Sequence, residues 1–154
     1  MDAKLVNPFI NATVNVLATM ASVEAKSGKP YLKKDSLARG DVSGVIGLTG
    51  ETNGTISVTF DAGSILGIVS NMFGENIEEL NSEVVDAVGE LTNMISGQAR
   101  RKLEEMGRKF EAAIPSVVTG KNHKIRHFTS GPIIAVPFST DGGRFTIEIC
   151  FEEG

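Results

Sequence analysis

The chain has 154 residues, 41% of them hydrophobic and 22% charged, the balance of an ordinary globular protein and enough for one domain with one sizeable core. Its net charge of −4 carries none of the strongly basic footprint of a nucleic-acid binder. No apolar run approaches the roughly 20 residues of a membrane span, the opening Met1-Asp2-Ala3-Lys4 lacks a secretory pattern, and Cys150 as the only cysteine excludes an internal disulfide; the expectations are a cytoplasmic location and a buried structural thiol.

Residues 4–21 read as a first helix, with Val6, Phe9, Ile10, Val14, Leu17 and Ala21 recurring at spacings of three and four. Pro8 falls early enough to be tolerated in a first turn. Ser27-Gly28-Lys29-Pro30 is a turn signal between two short strand candidates. Val42–Leu48 and Thr55–Phe60 are β-branched and apolar, and the intervening Glu51-Thr52-Asn53-Gly54 is a hairpin signal, because Asn and Gly both accept positive φ. Asp61 can cap a helix over about residues 62–73 that Gly74 ends. Asn81 or Ser82 can cap the longest helical pattern, which runs to about Met106 and stops at Gly107. Phe110–Val118 reads as one strand. Ile133–Phe138 and Phe145–Phe151 read as a second hairpin, turned by Thr140-Asp141-Gly142-Gly143. The sum is a single α/β (α+β) sandwich, with helices covering one face of a mostly antiparallel sheet.

The long helix carries the chemistry. At about 100° per residue, Val84, Val88, Leu91 and Ile95 fall within roughly 60° of one another, and Asp86, Glu90, Asn93 and Gly97 form a second stripe centred roughly 200° away. The first stripe docks on the core and the second faces away from it. The second stripe lacks the long cations usual on a solvated helix face. It also ends in a glycine, which costs about 1 kcal/mol relative to alanine in a helix interior but lets another surface come close. Taken by themselves, these residues also fit a solvated acidic face with an incidental glycine.

Other candidates are weaker. His123 and His127 lie among Lys121, Lys124 and Arg126, which disfavours a dication and suggests a solvated basic loop or strand end. The glycines from Gly40 to Gly54 have no Gly-Lys-Ser/Thr element after them, so a phosphate-cradling loop is disfavoured. Ser116 and Thr119 have no His–Asp constellation to activate them. No metal ligand set stands out.

The sequence resembles the CheC/CheX/FliM-related phosphatase family of bacterial chemotaxis. Asp86, Glu90 and Asn93 match that family's helical element, an Asp or Ser followed by Glu and then Asn, and Pro115 matches its downstream proline. Gly89-Glu90-Leu91-Thr92-Asn93-Met94, Ala25-Lys26-Ser27-Gly28-Lys29-Pro30, Val45-Ile46-Gly47-Leu48-Thr49-Gly50 and Pro115-Ser116-Val117-Val118-Thr119-Gly120 extend the likeness over essentially the whole chain. The resemblance implies a CheC-like fold with an internal pseudo-two-fold repeat. Laying the first helix over the long one puts Asn11 opposite Asn93, Pro8 opposite Glu90 and Lys4 opposite Asp86. The first copy therefore lacks both carboxylates, and one working site per chain is expected.

The resemblance also implies a reaction: hydrolysis of the aspartyl phosphate of phosphorylated CheY or a similar receiver domain. In that reading Asn93 orients the attacking water, and Glu90 pairs with a lysine beside the phosphorylated aspartate. Asp86 and Gly97 help the partner dock, and Pro115 is structural. The regulator brings its own Mg²⁺, and the chain pairs into a homodimer through its sheet. Two alternatives stay open: a non-catalytic scaffold like the FliM middle domain, and a phosphatase of another response regulator.

Overall fold

A computed structural model describes residues 3–127 and 131–152; Met1 and Asp2, from the opening segment without a secretory pattern, lie outside the described residues. The order is α1 (Ala3–Ala21), β1 (Lys26–Ser27), β2 (Tyr31–Lys33), β3 (Val42–Gly50), β4 (Gly54–Phe60), α2 (Ala62–Phe73), α3 (Ser82–Glu105), β5 (Phe110–Ala112), β6 (Ser116–Thr119), β7 (Ile133–Thr140) and β8 (Gly143–Phe151). The mixed α/β class with an antiparallel sheet is as expected.

Capping sets both later helices where the sequence puts them. The Asp61 side chain accepts from Ser64 N at the start of α2, and Gly74, at φ 67°, closes it with its N–H on Ser70 O. Asn81 does the same for α3 by accepting from Val84 N. Along α1 the buried side is rotated slightly from the expected one. Thr13 is buried and returns its hydroxyl to Phe9 O at 2.7 Å, while Val14 is 36% exposed.

The strands form one antiparallel sheet in the order β1-β7-β8-β4-β3-β5, with β2 beside β1 on β7 and β6 beside β5 on β3. This order has a two-fold pattern centred between β8 and β4. One half is α1, β1/β2, β3 and β4; the other is α3, β5/β6, β7 and β8. Each half lends its short first strands to the other half's hairpin.

The expected single strand over Phe110–Val118 is broken. Ala112 pairs Leu48 and Ser116 pairs Val45, so Ala113, Ile114 and Pro115 stand against only Ile46 and Gly47. This is an edge bulge of one extra residue, a place where a proline without N–H is tolerated. The other half repeats it: Ser27 pairs Phe138 and Tyr31 pairs Ala135, so Gly28, Lys29 and Pro30 face Pro137 and Val136. The leading residue of each bulge also makes the equivalent bond, Ala113 N to Gly47 O at 2.9 Å and Gly28 N to Pro137 O at 2.7 Å.

The β3–β4 hairpin forms as expected but for a different reason. Neither Asn53 nor Gly54 has positive φ. Gly54 begins β4 and pairs Phe151, and a Cβ there would lie 2.5 Å from the Phe151 ring. The residue makes room for a core aromatic.

One sheet face carries Ile46, Ile56, Val58, Phe60, Ile147 and Ile149 into the core beneath the helices. The other face is not open to water. Ala38 and Ile125, from the segments before β3 and after β6, cover Val45, and the residues beneath are polar yet buried: Ser43, Thr55, Ser57, Thr59 and Glu148. The histidines expected in a solvated loop instead turn inward. His123 Nε2 lies 2.6 Å from Ser43 Oγ. The His127 side chain, 3% exposed, lies 2.9 Å from Glu148 Oε1, and Lys33 Nζ reaches Glu148 Oε2 at 2.5 Å. Burial pushes the Glu148 carboxyl up, but the hydrogen bonds from His127 and Lys33 together outweigh it and hold it below its ordinary 4.5. Cys150 is buried as expected.

Two outcomes follow from this packing. Glu148→Gln should cost about 3 kcal/mol at neutral pH, because it leaves Lys33 without its buried counter-charge. A carboxyl held low in the folded state stabilises above its unfolded pKa and loses that contribution as pH falls through its folded pKa. The melting-temperature gap between Glu148→Gln and the parent chain should therefore be full at pH 7 and shrink below pH 4.5. A gap that widens on acidification would contradict the assignment. Separately, Gly44→Ala should be costly. A Cβ at Gly44 would lie 1.9 Å from Thr92 Oγ1 on α3, so overpacking should cost about 2 kcal/mol. For a chain of this size that is a fall in melting temperature of about 4–8 °C by calorimetry.

Candidate functional site

α3 is set on the sheet by one close contact. Thr92 is buried, its hydroxyl bonded to Val88 O at 2.7 Å, and it sits directly over the bare backbone of Gly44. On one flank, Gly89 faces Val117 of β6, whose Cγ2 would be 3.5 Å from a Cβ at that position. On the other, Gln98 Oε1 accepts from Asn15 Nδ2 of α1 at 2.8 Å. With Val84, Val88, Leu91, Ile95, Ala99 and Leu103 buried below, the rotation of α3 about its axis is fixed.

That rotation turns the second stripe outward. Asp86, Glu90 and Asn93 are exposed and Gly97 is half-buried. Among the described residues, the side chains of Asp86, Glu90 and Asn93 make no hydrogen bond or ion pair to another residue. At a rise of 1.5 Å per residue, Asn93 lies about 4.5 Å along the axis from Glu90 and about 6 Å from Gly97. The surface is a convex helix ridge. It cannot enclose a small molecule, since ligand sites of that kind are concave. It can insert an amide and a carboxylate into a cleft belonging to a partner. A carboxamide there offers an acceptor oxygen and donor nitrogen at once, the combination that orients a water without deprotonating it.

The stripe does hold a long cation, contrary to the sequence expectation. Arg100 follows Asn93 by seven residues and lies only about 20° from it around the helix. The side chain folds toward the N-terminus, as helical side chains do, and its Nη2 lies 3.9 Å from the position of a Cβ at Gly97. Glycine therefore leaves open ground beside the guanidinium. Arg100 Nε is buried with no acceptor among the described residues. The seven-residue spacing was the available signal, though spacing says nothing about a side chain that folds back.

Pro115 does not join the stripe. It ends the β5–β6 bulge described above, and Pro30 occupies the same place in the other half. Ile114 beside it is 90% exposed, a feature that the reading of Phe110–Val118 as a continuous strand could not foresee. On α1, Asn11 is exposed and Pro8 buried, and both border a groove with Gln98 and Lys102. Among the described residues, α1 contains no Asp or Glu, so the stripe is not repeated there. Among the described residues no group of three or more His, Cys, Asp or Glu side chains is placed to hold a metal ion.

Residues 42–139 match the family described as Chemotaxis phosphatase CheX. The CheY-P phosphatase CheX of Thermotoga maritima is 33% identical over 140 residues, covering 90% of this chain and 89% of that protein. Among solved structures, chemotaxis protein CheX from Vibrio vulnificus is 55% identical, with a TM-score of 0.91 over 96% of this chain and 99% of that one. The CheX–CheY–BeF3–Mg²⁺ complex from Borrelia burgdorferi gives 30% identity and a TM-score of 0.81, over 96% of this chain and 97% of that one.

Proposed function

The chain belongs to the CheX family of chemotaxis phosphatases and acts on CheY-P, and we propose that the outward amide and carboxylate of α3 are the residues that perform the hydrolysis. The observation that carries this is the exposure of Glu90 and Asn93, without partners among the described residues, on a helix whose opposite face is locked to the sheet.

An aspartyl phosphate is an activated acyl phosphate with a good leaving group. Water attacks phosphorus, the bond from phosphorus to the acyl oxygen breaks, and the products are the regulator's carboxylate and inorganic phosphate, which retains both protons of the water. The catalyst chiefly has to hold the water in line. Asn93 does so by accepting from it with its amide oxygen while its nitrogen donates elsewhere. An amide is too weak a base to take the proton outright. Glu90 anchors the regulator through a lysine beside the phosphorylated aspartate, a charge-assisted bond that also sets the depth of Asn93. Asp86, one turn before Glu90, adds to docking, and the missing side chain at Gly97 lets the partner surface approach. The Mg²⁺ comes with the regulator, and no step is assigned to a metal held by this chain.

The whole chain is read as one phosphatase domain working in the cytoplasm; no helix among the described residues is long and apolar enough to cross a membrane. It pairs as a homodimer through the β1/β2 end of the sheet. There Tyr31 and Leu32 are 49% and 60% exposed on an edge strand, which offers unpaired backbone groups to a second chain. The β5/β6 end flanks α3, and pairing there would crowd the ridge.

Three measurements test these assignments. Phospho-CheY should lose phosphate faster with the parent chain than alone, and Asn93→Ala should reduce that acceleration by about 100-fold, the scale of lost positioning, while still binding BeF3-activated CheY. Glu90→Ala should instead weaken binding by about 10-fold or more. Equal decay with and without the protein would favour a scaffold, and unimpaired binding by Glu90→Ala would remove its anchoring role. In solution, Leu32→Lys should shift the mass measured by light scattering from two chains to one; an unchanged mass would exclude this edge.

A further inference from the structure

We propose that Arg100 is a docking residue for the phosphorylated regulator, pairing with a carboxylate on the rim of the regulator's phosphorylation site. The inference rests on the reading of α3 as the face that meets CheY.

Three observations point this way. Arg100 is half-buried on the outward side of α3, two turns beyond Asn93 and about 20° from it around the axis. Among the described residues it makes no hydrogen bond or ion pair; Glu104, four positions on, stands in the less favourable order for an intrahelical pair. Its guanidinium instead lies back over Gly97, with Nη2 3.9 Å from where a Cβ would be, and its Nε is buried without an acceptor. Arginine is suited to this position, because its planar fork can grip a carboxylate through two parallel bonds.

Along the helix the ridge is acidic at Asp86 and Glu90, neutral at Asn93, cationic at Arg100 and acidic again at Glu104. A receiver surface that offers a lysine to Glu90 and a carboxylate to Arg100 can seat in one direction only. Reversal would set like charges together, which disfavours wrong partners and wrong registers. Gly97, against which the guanidinium lies, is about 6 Å along the axis from Asn93. At that distance the guanidinium grips the rim, while the amide alone addresses the water.

The experiment follows steady-state hydrolysis of phospho-CheY at several ionic strengths with the parent chain, Arg100→Gln and Arg100→Lys. Arg100→Gln should raise KM about 5- to 10-fold at low salt, leave kcat within about two-fold, and flatten the decline of kcat/KM with salt. Arg100→Lys, which keeps the charge, should keep most of the salt slope. Binding of CheY without phosphate or BeF3 should weaken in Arg100→Gln by the same factor, since the contact is a carboxylate; an effect confined to the phosphorylated form would overturn that assignment. An unchanged KM and salt slope in Arg100→Gln would overturn the docking role, as would a fall in kcat alone. If Arg100→Gln melts early, loss of the salt slope in the well-folded Arg100→Lys would count against it. A parent chain that does not accelerate phosphate loss would sink the underlying reading; an active parent with a silent Arg100→Gln would sink only this inference.

Discussion

Thr92 resting on Gly44 governs the rest of the molecule. A helix on a sheet normally stands off by the thickness of two side chains. Here one of the two is missing, because a Cβ at Gly44 would lie 1.9 Å from Thr92 Oγ1. The contact sets the height of α3, with the Thr92 hydroxyl held on its own helix at Val88 O, and the buried stripe together with the Asn15–Gln98 bond sets the rotation. A helix is stiff over a few turns, so fixing Thr92 fixes where Glu90, Asn93 and Gly97 point. Binding chemistry on the outside is thus set by a steric requirement on the inside.

Much of this was legible in the sequence, for identifiable reasons. The period of Val84, Val88, Leu91 and Ile95 gives the buried side of α3, and therefore the exposed one. Asp61 and Asn81 mark helix starts because a short acceptor must meet free N–H groups there. Features decided by tertiary contact were not legible. Propensity made Phe110–Val118 a strand, but only its partner β3 shows that three residues oppose two. Histidines among lysines look solvated until Glu148 and Ser43 are found beneath them. Asn-Gly suggested a left-handed turn, yet Gly54 answers to the Phe151 ring. Arg100 sits on the right face by spacing, but only the structure shows its guanidinium folded over Gly97.

The two halves also separate fold from chemistry. Both have a three-against-two bulge ending in proline, at Pro30 and Pro115. Only α3 has the carboxylates. The proline is therefore common to both copies of the architecture, whereas the amide and acid mark the single copy assigned to the reaction. On α1 the position opposite Glu90 is Pro8, which is buried.

The exchange of edge strands has a consequence for how the polypeptide is made. The β3–β4 hairpin leaves the ribosome well before β5 and β6, which complete its outer flank, and β1/β2 must wait longer still for β7. Neither repeat can close its own sheet during synthesis. Contacts so distant along the chain carry a high loop-closure cost and slow folding. The nascent chain therefore exposes unpaired strand edges until β7 and β8 emerge, the interval in which such edges invite aggregation.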